Sequence, residues 1–303
     1  MEFYEKVKKV ISNPFLIIPY IASKNDFKWV PEKIYIKLLY RARVGKRLNI
    51  DDPKTFNEKL QWLKLNDRKP HYTKLVDKFE VREYISEKIG EKYLIPLIGI
   101  WDNFDDIEFS ELPNEFVLKC THDSGSVFIC TNKSNFNIEK VKLRINKALK
   151  RNYYYHTREW PYKNVKPRIV CESYIADADI APDDYKVICF NGKAKLVQLH
   201  TDRHENHKQD FYDLNWNKTT ISQGMPCSDK VHKKPKQFEE MIKLSERLAS
   251  NTYQVRIDWF IVRDRLYFGE ITFFDGSGFI PFDKEEDDYL LGSWIKIPGK
   301  NSE

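Results

Sequence analysis

Between Tyr253 and Gly278 the chain reads YQVRIDWFIVRDRLYFGEITFFDGSG, two runs in which apolar and polar positions alternate around a short charged break. Alternation with a period of two predicts an antiparallel hairpin. On the first run Arg256, Asp258 and Phe260 share one face, and Val255, Ile257 and Trp259 share the other. On the second run Leu266, Phe268, Glu270 and Thr272 share a face. A three-residue loop, Arg263-Asp264-Arg265, sets Asp258 across from Glu270 and Arg256 across from Thr272. A plain two-residue turn without a bulge would put the carboxylates on opposite faces.

The same reading along the rest of the chain predicts helices first and hairpins later. Pro31 to Val44 carries Ile34, Tyr35, Leu38 and Leu39 near helical spacing, and Phe56 to Leu65 follows with Thr55 as N-cap and Glu58 completing a capping box. A single helix is expected from Thr73 to Ile89, with Lys78 and Arg82 on one face. Short apolar runs predict strands at Leu94 to Trp101, Phe116 to Cys120, Val127 to Cys130 and Arg168 to Ile175. Tyr185 to Phe190 and Lys195 to His200 form a second hairpin about Asn191-Gly192, a type I′ signal. Ile138 to Asn152 reads as a basic helix, followed by an aromatic loop from Tyr153 to Tyr162. Thr201 to Asn217 has no clear period, and Lys236 to Thr252 is an amphipathic helix with Phe238, Met241, Ile242, Leu244, Leu248 and Ala249 as its stripe.

At 303 residues the chain can bury a sizeable core as one multi-lobed unit or two to three subdomains. Its 32% charged and 14% aromatic residues exclude a disordered or low-complexity protein. A net charge of +6, with both signs interspersed, favours an anionic ligand or membrane-adjacent partner only weakly, and nucleic acid is not an expected partner. The five cysteines contain no C-x-x-C and lie in or beside apolar runs, as reduced thiols of a cytoplasmic protein do. Ile11 to Ala22 is interrupted by Pro14 and Pro19 and is shorter than the roughly 20 residues of a membrane span, so it reads as a loop or docking segment. The acidic run from Asp283 to Asp288 reads as solvated.

Candidate chemistry gathers at four places. Asp258 and Glu270, facing each other from apolar strands, repel unless a cation lies between them, and an oxygen-only pair suits Mg²⁺ shared with a phosphate. Lys119 ends a strand three residues before the loop His122-Asp123-Ser124-Gly125-Ser126, where backbone N–H groups and a mobile lysine can meet a phosphate; an ordinary hairpin has the same letters. Lys186, inside an apolar strand, needs an anion. His200, His204 and His207 are spaced for one helical face, but nothing else predicts a helix or zinc there. Asp177-Ala178-Asp179 offers a D-x-D pair of the kind a metal-dependent glycosyltransferase uses.

The segments DPKTFNEKLQWLKL, DKFEVREYI, FVLKCTHDSG, DYKVICFNGK and VRIDWF followed by YFGEITFFDGSG, in this order, closely resemble the TupA-like branch of the ATP-grasp superfamily over about residues 45 to 280. The resemblance implies an α+β ATP-grasp fold, two lobes with antiparallel sheets clasping ATP behind a helical N-terminal region. The expected divisions are 1–92, a helical region opening a pre-ATP-grasp subdomain; 93–170, the small lobe; and 171–303, the large lobe with the Mg²⁺ site. It further implies that Lys78 and Lys119 reach the phosphates under a loop containing His122, Ser124, Gly125 and Ser126. Glu172, Ser173 and Ile175 belong to the hinge at adenine, and Asp184 and Lys186 to a strand facing phosphate. Arg256 is the implied catalytic arginine, and Asp258 and Glu270 the Mg²⁺ ligands. Thr272 stands where many such ligases have asparagine, and the ribose acid is open among Asp177, Asp179 and Asp183.

The implied reaction is ATP-dependent carboxylate–amine ligation through an acyl phosphate, with Arg203, and His207 beside it, as candidates for holding the substrate carboxylate. The branch is associated with capsule and other bacterial surface polysaccharides, which points to a uronic-acid carboxyl and an amino-acid amine as substrates. Action in the cytoplasm, at the inner face of the membrane beside envelope-assembly machinery, fits that setting. The competing expectations are the glycosyltransferase, an ATP-grasp phosphotransferase acting on a sugar, and a binding or scaffold protein.

Overall fold

A computed structural model of the chain describes residues 28–176, 182–202 and 206–298. The segment Ile11 to Ala22, the pair Asp177 and Asp179, and Arg203 and His204 lie outside the described residues. The N-terminal part contributes helices α1 (Glu32–Val44), α2 (Phe56–Asn66), α3 (Tyr72–Val76) and α4 (Val81–Lys88). The expected capping box of α2 is formed: the N–H of Glu58 donates to the Thr55 side chain, and the Glu58 carboxylate accepts the N–H of Thr55.

The helix expected from Thr73 to Ile89 is broken in two. The Asp77 carboxylate accepts the N–H groups of Phe79 at 2.8 Å and Glu80 at 3.2 Å, so a side chain takes donors that a continuous helix would send to its own backbone. Lys78 and Arg82 therefore do not share the face of one helix. The backbone of Lys78 is tied elsewhere, its N–H donating to the carbonyl of Thr121 at 3.2 Å.

The first sheet contains β1 (Leu97–Trp101), β2 (Phe116–Cys120), β3 (Val127–Cys130) and β4 (Ile169–Ser173), in the order β1-β4-β2-β3, all pairs antiparallel. Phe116, Leu118, Cys120, Phe128, Cys130, Ile169 and Cys171 line one of its faces and pack with Val141, Ile145 and Ala148 of α5 (Ile138–Leu149). The short α6 (Tyr154–Thr157) lies in the aromatic stretch that leads back to β4.

The second sheet contains β5 (Asp184–Phe190), β6 (Lys193–Thr201), β7 (Lys208–Tyr212), β8 (Gln254–Val262) and β9 (Arg265–Thr272), in the order β7-β6-β5-β8-β9. All pairs are again antiparallel. The Asn191-Gly192 turn has positive φ at both residues, as its letters predict. Strand β7 occupies the stretch without a clear period; Gln209, Asp210, Phe211 and Tyr212 are all buried, and burial on both faces removes the alternation that would mark a strand. Helix α7 (Phe238–Leu248) covers one face, burying Phe238, Met241, Leu244 and Leu248, and its Ser245 Oγ accepts the indole N–H of Trp259 at 2.8 Å. Four cysteines are buried thiols and Cys227 is an exposed one.

The β8–β9 hairpin reaches the expected pairing by another route. Its turn is two residues long, Arg263-Asp264, both at positive φ, with Val262 opposite Arg265. Between Asp258 and Trp259 the register shifts, leaving Gly269 as the extra residue of a bulge. The bulge returns Asp258 to Glu270 and Arg256 to Thr272. A side chain at Gly269 would meet the carbonyl oxygen of Asp258 at 3.1 Å, so glycine suits the close approach.

The acidic run is not wholly solvated. Helix α8 (Glu285–Trp294) packs against α2, and the buried Asp288 carboxylate accepts the N–H of Asn57 at 2.9 Å, a donor in the first turn of α2 that has no partner within the helix. Among the described residues no helix is long and apolar enough to cross a membrane. Replacing Asp288 by alanine should cost about 1–3 kcal/mol, because it orphans that buried donor. The exposed Glu285→Ala in the same helix should stay within about 0.5 kcal/mol, both read from urea unfolding midpoints.

Candidate active site

The face of the second sheet opposite α7 carries charge where strand β5 meets the hairpin. Directly opposite residues point the same way, and the register sets Lys186 against Asp258, Asp258 against Glu270, and Arg256 against Thr272. Arg256 donates from Nε to Asp258 Oδ1 and from one terminal nitrogen to Asp258 Oδ2, both at 2.7 Å. That terminal nitrogen also lies 3.4 Å from Glu270 Oε1 and 3.3 Å from Thr272 Oγ1, while the other donates to Asp275. Lys186 donates to Asp258 and sits 3.6 Å from Asp184.

Burial of this depth penalises a lone charge, and Arg256, Asp258 and Lys186 offset it by pairing with one another. Burial pushes the Asp258 carboxyl up, but Arg256 and Lys186 more than offset it and hold the group below the usual carboxylate range. Burial likewise works against the Arg256 cation, and Asp258 and Asp275 overcome it. Asp275 was not foreseen as a site residue. Its signal in the sequence was an acid opening a glycine-rich turn directly after the strand that holds Glu270.

The first sheet presents the facing surface. Val117, Lys119, Val127, Ile129, Val170 and Glu172 alternate with its core residues and share the face turned away from α5. Val127 and Ile129 are exposed there, giving an apolar surface with two charges set in it. Lys119 donates to Glu172 at 2.6 Å, and Arg82 from α4 donates to the other oxygen of Glu172 at 2.9 Å. Arg82 also reaches the carbonyl of Ile95 at 2.9 Å, so it fastens α4 to β4 and to the segment before β1. Ser173 ends β4, with its N–H donating to Pro96, and Ile175 follows it half-buried.

The loop after β2 joins the two surfaces. Lys78 donates to the carbonyl of Asp123, the Ser126 hydroxyl donates to the Asp123 carboxylate, and Gly125 takes positive φ. Ser124 and Gly125 are exposed at its tip. His122 is placed differently: the ring is buried and contacts the carbonyl of Ala148 at 3.1 Å, which turns it toward α5 and away from the cleft. Tyr153, from the aromatic stretch, is within hydrogen-bonding reach of Ser124 and close enough to Glu270 to feel its charge. Burial first, then that acidic surrounding, pushes the phenol above its ordinary range.

His200 and His207 face each other, Nδ1 to Nε2 at 2.8 Å. Among the described residues no group of three or more His, Cys, Asp or Glu side chains is arranged to hold a metal ion. Asp258 and Glu270 with the Thr272 hydroxyl, 3.4 Å from Glu270 Oε1, form an all-oxygen set of two carboxylates and one alcohol. Such a set fits a hard cation that takes its remaining ligands from phosphate and water, and does not fit a closed structural site.

The model of the TupA-like ATPgrasp family matches residues 58–296. No curated protein matches the chain at a significant level. Among solved structures it is similar to an L-amino acid ligase from Bacillus licheniformis, at 13% identity and a TM-score of 0.46 over 82% of this chain and 57% of that one. It is also similar to a D-alanine–D-alanine ligase from Bacillus anthracis complexed with ATP, at 16% identity and a TM-score of 0.39, covering 65% of this chain and 54% of that one. The corresponding ligase from Helicobacter pylori gives 12% identity and a TM-score of 0.41 over 80% and 69%. The chain thus spans little more than half the length of the first two proteins. A family match that runs from α2 through α8 takes in both sheets and every charged group of the cleft, and on it the chain belongs to the TupA-like ATP-grasp family.

Proposed function

We propose that the chain is an ATP-dependent carboxylate–amine ligase that works through an acyl phosphate. The observation that carries the reading is the register that sets Arg256, Asp258, Glu270 and Thr272 on one strand face, with Lys119 paired to Glu172 on the first sheet. In this reading the apolar surface of Val127 and Ile129 receives the base, and the hinge at Glu172, Ser173 and Ile175 borders it. Lys78, Lys119 and the Ser124 to Ser126 loop bind the phosphates.

Asp258 and Glu270, with Thr272, would hold Mg²⁺, which would offset charge on the transferring phosphoryl group. Arg256 and Lys186 each leave part of their contact with Asp258 for equatorial phosphoryl oxygens, a change of partner between anions that keeps both cations compensated. Substrate carboxylate oxygen attacks the γ-phosphorus, ADP leaves, and the amine then displaces phosphate through a tetrahedral intermediate. Arg203 is the proposed holder of the carboxylate, with His207 as a second candidate. A uronic-acid carboxyl as acceptor and an amino acid as amine, in bacterial surface-polysaccharide synthesis on the cytoplasmic side, are the substrates and setting that the family resemblance supports.

Two measurements test this. Mg-ATP should raise the melting temperature of the protein while Mg-UDP-sugars leave it unchanged; stabilisation by sugar nucleotide and none by ATP would sink the ligase reading in favour of a glycosyltransferase. Glu270→Gln should lower turnover by about a hundredfold or more. Because the Glu270 side chain is 39% exposed, the same change should leave unfolding free energy within about 0.5 kcal/mol. Full activity in that variant would reduce the hairpin to a structural element.

A further inference from the structure

Helix α2 lies on the same face of the second sheet as the charged cluster, with Phe56 packed edge-on against Phe190 at 6.1 Å. An apolar stripe would suffice to dock it there. Instead three polar residues, Asn57, Gln61 and Lys64, repeat at i, i+4 and i+7 along one side of the helix and are only 1%, 0% and 0% exposed. Their donors converge on backbone carbonyls of one turn. Asn57 Nδ2 donates to Ile280 at 3.0 Å, Gln61 Nε2 to Ser277 at 3.1 Å and to Gly278 at 2.6 Å, and Lys64 Nζ to Ser277 at 2.7 Å.

The turn needs such partners. Gly276, Ser277 and Gly278 have φ of 52°, 55° and 60°, three successive left-handed residues, one of them not glycine. Within that run the Gly276 carbonyl is met locally by the N–H of Phe279, and those of Ser277 and Gly278 are met from α2. Glu159 completes the grip by accepting from the Ser277 hydroxyl and, at 2.9 Å, from Thr157. Lys64 also reaches the carbonyl of Thr157 at 3.1 Å and lies over the Phe279 ring at 4.2 Å. A side chain on Gly278 would meet Gln61 Nε2 at 2.5 Å, so turn and helix are in direct contact.

Burying Lys64 this deeply is expensive; burial brings its pKa down to about 7, with Glu159 working in the opposite direction. Buried polar contacts of this kind add little net stability compared with apolar packing, but they fix position, because each bond has a direction. What they position is Asp275, the first residue of the turn, whose carboxylate accepts from Arg256. Arg256 is thereby held from two sides, by Asp258 and by Asp275.

We propose that α2 is a positioning element of the active site: Asn57, Gln61 and Lys64 fix the 275–280 turn, and through Asp275 the turn aims the Arg256 guanidinium at the transferring phosphoryl group. The proposal rests on the nucleotide reading given above. It makes a signature that a merely structural contact would not give, because Arg256 addresses the γ-phosphoryl group, and a misdirected guanidinium weakens triphosphate binding selectively.

The test compares Mg-AMPPNP and Mg-ADP binding by calorimetry. Gln61→Met, close in size but without the donor, should weaken Mg-AMPPNP by about tenfold and leave Mg-ADP within about twofold. Asp275→Asn should show the same split, and the double variant should be no worse than the weaker single one. Asn57→Leu serves the same comparison if Gln61→Met fails to fold. Equal losses for both nucleotides, or a lower melting temperature with both affinities intact, would overturn the positioning role. A wild-type chain that binds neither nucleotide removes the ligase reading itself, and is distinguishable because the split is then never observed in any form.

Discussion

The pairing of Arg256 with Asp258 is the contact on which the rest of the molecule depends. Neither ion survives in a strand face of this burial without the other, and neither is satisfied by the other alone. Asp258 therefore draws in Lys186 from the neighbouring strand, and Arg256 draws in Asp275 from the turn beyond β9. Those demands reach outward to α2 and Glu159, which hold the turn, so that a helix distant in sequence answers to the same two charges.

Meeting them requires a particular strand register. A two-residue turn with both residues left-handed twists the hairpin in the favoured sense, but run without interruption it would turn Glu270 into the apolar layer under α7. The bulge at Gly269 reconciles the two, letting the outer half of the hairpin follow the turn and the inner half follow the charges. Strand β6 shows the same device beside the Asn191-Gly192 turn, where Lys195 is the extra residue between Leu196 opposite Ile188 and Ala194 opposite Cys189, while Lys186 of β5 stays opposite Gln198 and Asp258.

Much of this could be read from the sequence because alternation reports which face a residue occupies. Alternation with an expected three-residue loop set Arg256, Asp258, Glu270 and Thr272 together; the pairing holds but the loop does not, because a two-residue turn and the bulge at Gly269 replace it, while the capping letters located the start of α2. What escaped reading shares a cause: side chains that satisfy backbone groups elsewhere. Asp77 ends a helix by taking two amide donors, Asp288 is buried because α2 needs a cap, and Asn57, Gln61 and Lys64 lie inside because a turn two hundred residues on needs donors. Hydrophobic period is silent about such long-range polar debts. His122 fails for a related reason, since its position in a flexible-looking loop says nothing about the carbonyl of Ala148 that claims its ring.

The two surfaces of the cleft carry opposite formal charge, and this polarity orients what can bind between them. On the strand floor four carboxylates, Asp184, Asp258, Glu270 and Asp275, stand against two cations, Lys186 and Arg256. On the other side Lys119, Arg82 and Lys78 stand against Glu172 and Asp123. A surplus of two negative charges in a buried floor is costly unless a cation of matching charge is brought in, and a divalent ion is the smallest change that removes it. A surplus of positive charge opposite favours a polyanion. In the ligase reading proposed above, a metal–triphosphate complex would set its metal toward the hairpin and its phosphates toward Lys119, because the reverse orientation would place like charges together on both sides.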